Sequence, residues 1–178
     1  KAFLSVIMIG SAGLILLSRF LTKLLLNVTF YDAWEYMPTL LCAVALETLV
    51  SFLASVYLVR KKSVHSFVTA LVGAVSNIIL NSCFIPIMGA LGAAVATLAS
   101  FAIVLILRMI DAKRIIPFDF CLPRLCISVA LLFGAAAITT LDLPGRIWWT
   151  LLCAVAICAI NAPALLKGLR AIVAKRMK

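Results

Sequence analysis

The chain has 178 residues, of which 66% are hydrophobic and 12% are charged, and its mean hydropathy is +1.24. Soluble domains average about 45–50% apolar and about 25% charged residues. The 16 Lys and Arg and the 6 Asp and Glu residues are too few to cover a water-soluble fold of this size. The same apolar content excludes intrinsic disorder. The composition therefore predicts an all-α, polytopic transmembrane helical bundle.

The net charge of +10 comes from cations that lie mainly between the apolar runs. This distribution is typical of cytoplasmic loops that face anionic lipid. Basic patches interleaved with aromatic residues do not occur, so nucleic acid is not an expected partner. The sequence has six cysteines without a C-x-x-C motif and a single His, so neither a metal site nor a cofactor is expected.

Six segments of the sequence are long and apolar enough to cross a bilayer. A spanning helix needs about 20 mainly apolar residues, because a rise of about 1.5 Å per residue must cross about 30 Å of hydrocarbon. Residues 63–107 contain no Lys, Arg, Asp or Glu, and Pro86 and Gly89 divide this stretch into two helices joined by a very short turn. The predicted spans are 2–18 (or 2–26), 37–59, 66–86, 89–110, 120–141 and 147–166.

The orientation of these spans follows from where Lys and Arg collect. If odd-numbered spans run outward, the inner segments and the basic tail at 167–178 carry 13 of the 16 cations, and the outer segments carry Arg19, Lys23 and Arg146. We therefore predict that both ends of the chain are cytoplasmic.

Arg19 and Lys23 lie one helical turn apart at the outer end of the first span, where cations are rare. Guanidinium and ammonium groups at this spacing could bind an anionic head group such as a diphosphate. Alternatively, both side chains extend to the outer membrane surface and bind nothing.

Glu47 lies near the centre of the second span, where an acid costs about 2.5–3.5 kcal/mol. We therefore expect its face of the helix, which also carries Ser51, to point toward protein or a water-filled cavity. The residues on this face are Ala43, Glu47, Ser51 and Ala54, and those opposite are Leu41, Leu49 and Phe52. Glu47 is then a proton, cation or substrate contact, or a hydrogen-bonded residue that holds helices together.

The third span has a polar stripe, and the fourth has a ridge of small residues. Asn77 and Asn81 follow Gly73 on one helical face, and unpartnered amides in hydrocarbon are costly, so this face points inward. The stripe contacts substrate, or it makes hydrogen bonds between helices. In the fourth span, Gly89 opens the helix, and the small residues that allow close packing are Gly92, Ala96 and Ser100.

Enzymatic chemistry has little basis in this sequence. The six acids are scattered, and the single His has no acid at catalytic spacing. A metal-binding acid cluster and a phosphate-cradling glycine loop are missing too. We therefore predict that the chain is not an enzyme.

Three linked motifs resemble segments of polysaccharide-exporting flippases in the multidrug, oligosaccharidyl-lipid and polysaccharide exporter superfamily. Residues 30–41 resemble the family segment Y-x-x-A-x-x-Y-x-P-x-L-L, and residues 73–81 match G-A-x-x-N-I-x-L-N. Residues 85–97 match I-P-x-x-G-A-x-G-A-A-x-A-T. Order and spacing agree over roughly residues 28–115.

The resemblance implies the C-terminal part of a flippase of about 12–14 helices. Such a flippase would move undecaprenyl-diphosphate-linked oligosaccharide across the bacterial inner membrane by alternating access. Residues 1–115 would supply four helices of the second lobe, and residues 116–166 two additional helices. Besides substrate and membrane lipid, other polysaccharide assembly proteins are possible partners. The candidate residues of the translocation pathway are Glu47, Ser51, Asn77, Asn81, Arg19 and Lys23.

Two alternatives remain open from the sequence. A cation-coupled multidrug antiporter of the same superfamily would share the fold but needs an acid-rich cavity, and a single acid lies within a span here. A non-transporting membrane subunit that scaffolds an assembly complex would lack a continuous polar cavity.

Overall fold

A computed structural model of the chain describes residues 2–25, 27–61, 63–115, 122–141 and 145–176. These residues form five α-helices and one 3-10 helix. The α-helices are α1 (Ala2–Leu25), α2 (Met37–Val59), α3 (Ser63–Ile115), α4 (Leu122–Thr140) and α5 (Arg146–Arg176), and the 3-10 helix Val28–Glu35 lies between α1 and α2.

All five α-helices are long and apolar enough to cross a membrane. The all-α prediction is therefore confirmed, with helices compatible with a membrane protein. The predicted count of six spans is not confirmed, because the third and fourth predicted spans lie within the single long helix α3. The second predicted span, 37–59, has the bounds of α2. Pro38 suits the first helical turn, and Lys61, in the left-handed conformation at φ 54°, follows the end of the helix.

Helix α3 folds back on itself at Gly89. This residue has φ 58° and ψ −132°, a conformation that is open essentially to glycine alone. His65 and Asp111 would lie about 69 Å apart in one straight helix, at 1.5 Å per residue, yet their side chains are 3.0 Å apart. We call residues 63–88 the first arm of α3 and residues 90–115 the second arm. They run antiparallel, as side-chain hydrogen bonds between Asn77 and Ser100 and between Thr69 and Arg108 also show.

The helices group into two compact units. The first unit comprises Lys1–Pro38 and Asp119–Lys178, and the second comprises Thr39–Phe118. The first helix thus belongs with the last two helices, whereas the expected division assigned residues 1–115 to one transporter lobe. That division concerns a larger transporter and stays a prediction; its boundary at 115/116 falls next to residues 116–121, which lie outside the described ranges.

In the first unit, α1, α4 and α5 are joined by polar side chains, of which Ser5, Ser128 and Asn161 are buried. Arg124 of α4 donates one hydrogen bond to Ser5 of α1 and another to Asn161 of α5, both at 3.0 Å. The Asn161 amide donates to Ser128 Oγ of α4 at 2.9 Å. Polar groups inside hydrocarbon need hydrogen-bond partners, and Ser5, Ser128 and Asn161 have theirs on a neighbouring helix.

Candidate functional site

The second unit contains a cleft of about 360 Å³ between α2 and the two arms of α3. Most of its surface is apolar, but polar side chains from both arms reach it. Its lining includes Val50 of α2, Gly73 and Asn77 of the first arm, and Thr97, Ser100 and Arg108 of the second arm. An apolar cleft with a few convergent polar groups is the usual form of a small-molecule site.

The two asparagines of the predicted polar stripe lie together beside this cleft. Asn81 Nδ2 donates to Asn77 Oδ1 at 2.8 Å, and Asn77 Nδ2 donates to Ser100 Oγ at 3.1 Å. Ser100 in turn donates to the carbonyl of Thr97 at 2.8 Å. The stripe thus forms a hydrogen-bonded ladder across both arms. The Oδ1 atom of Asn81 is buried and accepts no hydrogen bond from the described residues.

The small residues allow the two arms to approach closely. A Cβ added at Gly73 would lie 2.5 Å from Val104 Cγ2, and one added at Gly92 would overlap the carbonyl group of Phe84. Ala96 and Ser100 are buried. These positions place the polar ladder between the arms and set the width of the cleft.

Arg108 is a buried cation of the cleft that the sequence did not single out. The topology prediction assigns it to the cytoplasmic cations, yet only 4% of its surface is exposed. Its Nη1 donates to the carbonyl of Val50 at 2.7 Å, its Nε to Thr69 Oγ1 at 3.0 Å, and its Nη2 to the carbonyl of Ser66 at 3.2 Å. These three acceptors come from α2 and the first arm, so the guanidinium is fixed in place by neutral groups on two helices.

An aromatic and acidic cluster lies beside Arg108. The Arg108 guanidinium carbon lies 6.0 Å from the centroid of the buried Tyr57 ring, which stacks on His65 at 6.3 Å between ring centroids. Asp111 Oδ2 lies 3.0 Å from His65 Nδ1. The nearby carboxylate is therefore paired with His65 and makes no ion pair with Arg108.

Glu47 and Ser51 do not lie in this cleft. Both side chains are exposed, whereas the buried side of α2 carries Leu46, Leu49, Val50 and Leu53. On the same face Ala43 is buried and Ala54 is half-buried, so the prediction that this face points toward protein or a water-filled cavity is not decided by the residues of this chain. A role for Glu47 in a pathway stays a prediction.

Arg19 and Lys23 belong to the first unit, so they are not part of the cleft. The guanidinium carbon of Arg19 lies 3.7 Å from the centroid of the Trp34 ring, an arrangement that stabilises the cation. Lys23 is exposed. This arrangement does not test whether Arg19 and Lys23 bind a diphosphate, so that role stays a prediction. Within the described ranges, no group of three His, Cys, Asp or Glu side chains could hold a metal ion.

No protein-family model matches the chain, and neither a curated protein nor a solved structure shows significant similarity to it. Function is therefore inferred from the chemistry of the cleft and from the motifs that surround it.

Proposed function

We propose that this chain is part of a flippase that moves polyprenyl-diphosphate-linked oligosaccharide across the bacterial inner membrane by alternating access. The motif resemblance supports this proposal, since its second and third motifs, residues 73–81 and 85–97, lie on the two arms of α3. The two arms, at about 1.5 Å per residue, are each longer than the 30 Å of hydrocarbon. With each arm as one crossing, the chain spans the membrane six times and both ends lie on the same side, for which the distribution of Lys and Arg favours the cytoplasm.

The observation that carries the proposal is the polar ladder of Asn77, Asn81 and Ser100 beside a cleft in the most apolar part of the chain. Amide and hydroxyl groups that are hydrogen-bonded to one another can bind sugar hydroxyls instead. Replacing one hydrogen bond by another in this way has a small net cost in free energy. Such a surface suits a sugar that must pass a hydrocarbon barrier.

The test is transport of a fluorescent lipid-linked oligosaccharide by the full-length protein in proteoliposomes. Asn77→Leu removes the centre of the ladder, and we expect initial transport to fall at least tenfold. A matched pair of serine variants controls for general damage to α3. Ser100→Ala removes a cleft hydroxyl and slows transport, whereas Ser82→Ala removes an exposed hydroxyl that bonds to its own helix and leaves the rate unchanged.

The same vesicles discriminate among the alternatives. Drug efflux driven by a Na⁺ or H⁺ gradient, without movement of lipid-linked sugar, would replace the proposal with the antiporter. A protein that moves neither substrate would favour the scaffold. Unchanged sugar transport by Asn77→Leu would remove the ladder from the pathway.

A further inference from the structure

We infer that the Arg108 end of the cleft binds the phosphate group of an anionic membrane lipid. This inference does not depend on the proposed transport function, because a lipid held permanently by the protein would use the same groups. The ligand chemistry is a phosphoryl oxyanion joined to an apolar chain.

The first argument is the charge of Arg108. A guanidinium stays protonated at all physiological pH values, and a buried charge is normally paired with an opposite one. Arg108 is 4% exposed, and its hydrogen-bond acceptors are two carbonyls and a hydroxyl. Among the described residues, no carboxylate forms an ion pair with it, and Asp111, one turn away, contacts His65 instead. An external anion would complete the site.

The second argument is the number of donors that Arg108 has left. A guanidinium has five N–H groups in a fixed plane, and the described acceptors use one on Nε, one on Nη1 and one on Nη2. One N–H therefore remains on each terminal nitrogen. Two such donors can bind two oxygens of one phosphate, and these charge-assisted bonds are stronger than bonds between neutral groups. The three existing bonds already hold the plane in position, which reduces the entropy lost when a ligand binds.

The third argument is the shape and composition of the cleft that leads away from Arg108. Its volume of about 360 Å³ is lined between Arg108 and Asn77 by Ala70, Gly73, Ala74 and Val104. This lining suits a hydrocarbon chain rather than a hydrated ion. A lipid places its phosphate at the membrane surface and its chain in the hydrocarbon. Arg108 near the end of the second arm and the apolar cleft along that arm match this arrangement.

The experiment measures lipid binding to the purified full-length protein in nanodiscs. Phosphatidic acid in a phosphatidylcholine background is the probe, and pure phosphatidylcholine is the reference. Inorganic phosphate is added to separate nanodiscs to distinguish a lipid phosphate from a free one. We expect phosphatidic acid to bind at least tenfold more tightly than phosphatidylcholine, and inorganic phosphate at millimolar concentration to compete weakly or not at all.

Two variants test the site in different ways. Arg108→Gln keeps a hydrogen-bonding side chain without the charge, and Ala74→Leu fills the cleft while leaving Arg108 intact. Each should lower the affinity for phosphatidic acid at least tenfold, a loss of about 1.4 kcal/mol or more. The matched controls are Arg60→Gln, an exposed cation, and Ala137→Leu, an exposed alanine of the first unit; both should bind like the parent protein.

Three results would overturn the inference. One is equal binding of phosphatidic acid and phosphatidylcholine, and another is a preference for inorganic phosphate over the lipid. The third is undiminished lipid binding by Ala74→Leu, which decides the matter even if Arg108→Gln does not fold. Loss of lipid binding with unchanged sugar transport would leave this site in place and separate it from the translocation pathway.

Discussion

Asn161 offers the most direct measure of what buried polar contacts contribute in this protein. Its residue exposure is 3%, and its side chain links α5 to Ser128 and Arg124 of α4 at 2.9 and 3.0 Å. Interhelical hydrogen bonds in membrane proteins contribute on average about 0.6 kcal/mol and at most about 1.7 kcal/mol. The bond to the charged Arg124 belongs at the upper end of this range. Asn161→Ala should therefore destabilise the fold by about 1–2 kcal/mol.

The assay is reversible unfolding in detergent micelles, followed as a double-mutant cycle. Ser128→Ala alone removes one partner of Asn161. The double variant should lose less free energy of unfolding than the sum of the two single variants, with a coupling energy of about 0.6 kcal/mol. Thr139→Val is the matched control on the same helix, since Thr139 is buried but bonds to its own backbone at Ala135. It lies 11 residues from Ser128, about 16 Å along α4, so its effect should add to that of Asn161→Ala.

The reasoning is refuted if Asn161→Ala and Ser128→Ala are additive. Such a result would mean that each side chain finds another partner once the first is removed, and that the three-helix contact is held by apolar packing alone. The reasoning is also refuted if the coupling energy between Asn161 and Thr139 is as large as that between Asn161 and Ser128. The coupling between Asn161 and Ser128 would then reflect a change of the whole unit and not their hydrogen bond.

Three further predictions concern α3. Gly89→Ala forces a side chain into a conformation with φ 58° and should lower the free energy of unfolding by about 1–3 kcal/mol, which is measured as a lower melting temperature. The control is Gly134→Ala, where a Cβ meets nothing within 4 Å; it should leave stability unchanged or raise it. Asp111→Asn should cost less than about 1 kcal/mol, because its pair with His65 is partly exposed, and a larger loss in chemical denaturation would show that the pair is a key contact. A cysteine introduced at Ala90 of a cysteine-free variant should react with a membrane-impermeant thiol reagent from outside the cell; reaction from the cytoplasm alone would contradict six crossings.

Helix positions followed from the sequence more readily than helix orientations did. The bounds of α2 at 37–59 were predictable because an apolar run of spanning length begins at Pro38 and ends before Arg60. The side of α2 that packs was not predictable in the same way. Leu49 and Leu41 lie opposite Glu47, but the neighbours of a single apolar helix are set by tertiary packing, and Glu47 proved to be exposed.

Arg108 was missed for a different reason. Counting Lys and Arg for topology treats every cation near a helix end as part of a loop, and Arg108 lies at such an end of the predicted fourth span. Such a count ignores the neutral hydrogen-bond acceptors of a neighbouring helix, which can hold the guanidinium in a buried position. Nothing in the sequence around residue 108 signals this, because the acceptors are at Val50, Ser66 and Thr69.

The geometry of a helical hairpin supplies the missing signal. Antiparallel arms bring together residues that lie about equally far on either side of the turn, and the Pro86 and Gly89 pair had already located that turn. Thr69 and Arg108 are 20 and 19 residues from Gly89, and Asn77 and Ser100 are 12 and 11 residues from it. Applied to the sequence, this relation pairs the asparagine stripe with the small-residue ridge and places Arg108 level with Thr69. The turn therefore gives the level at which Arg108 meets the first arm, which the charge count alone does not give.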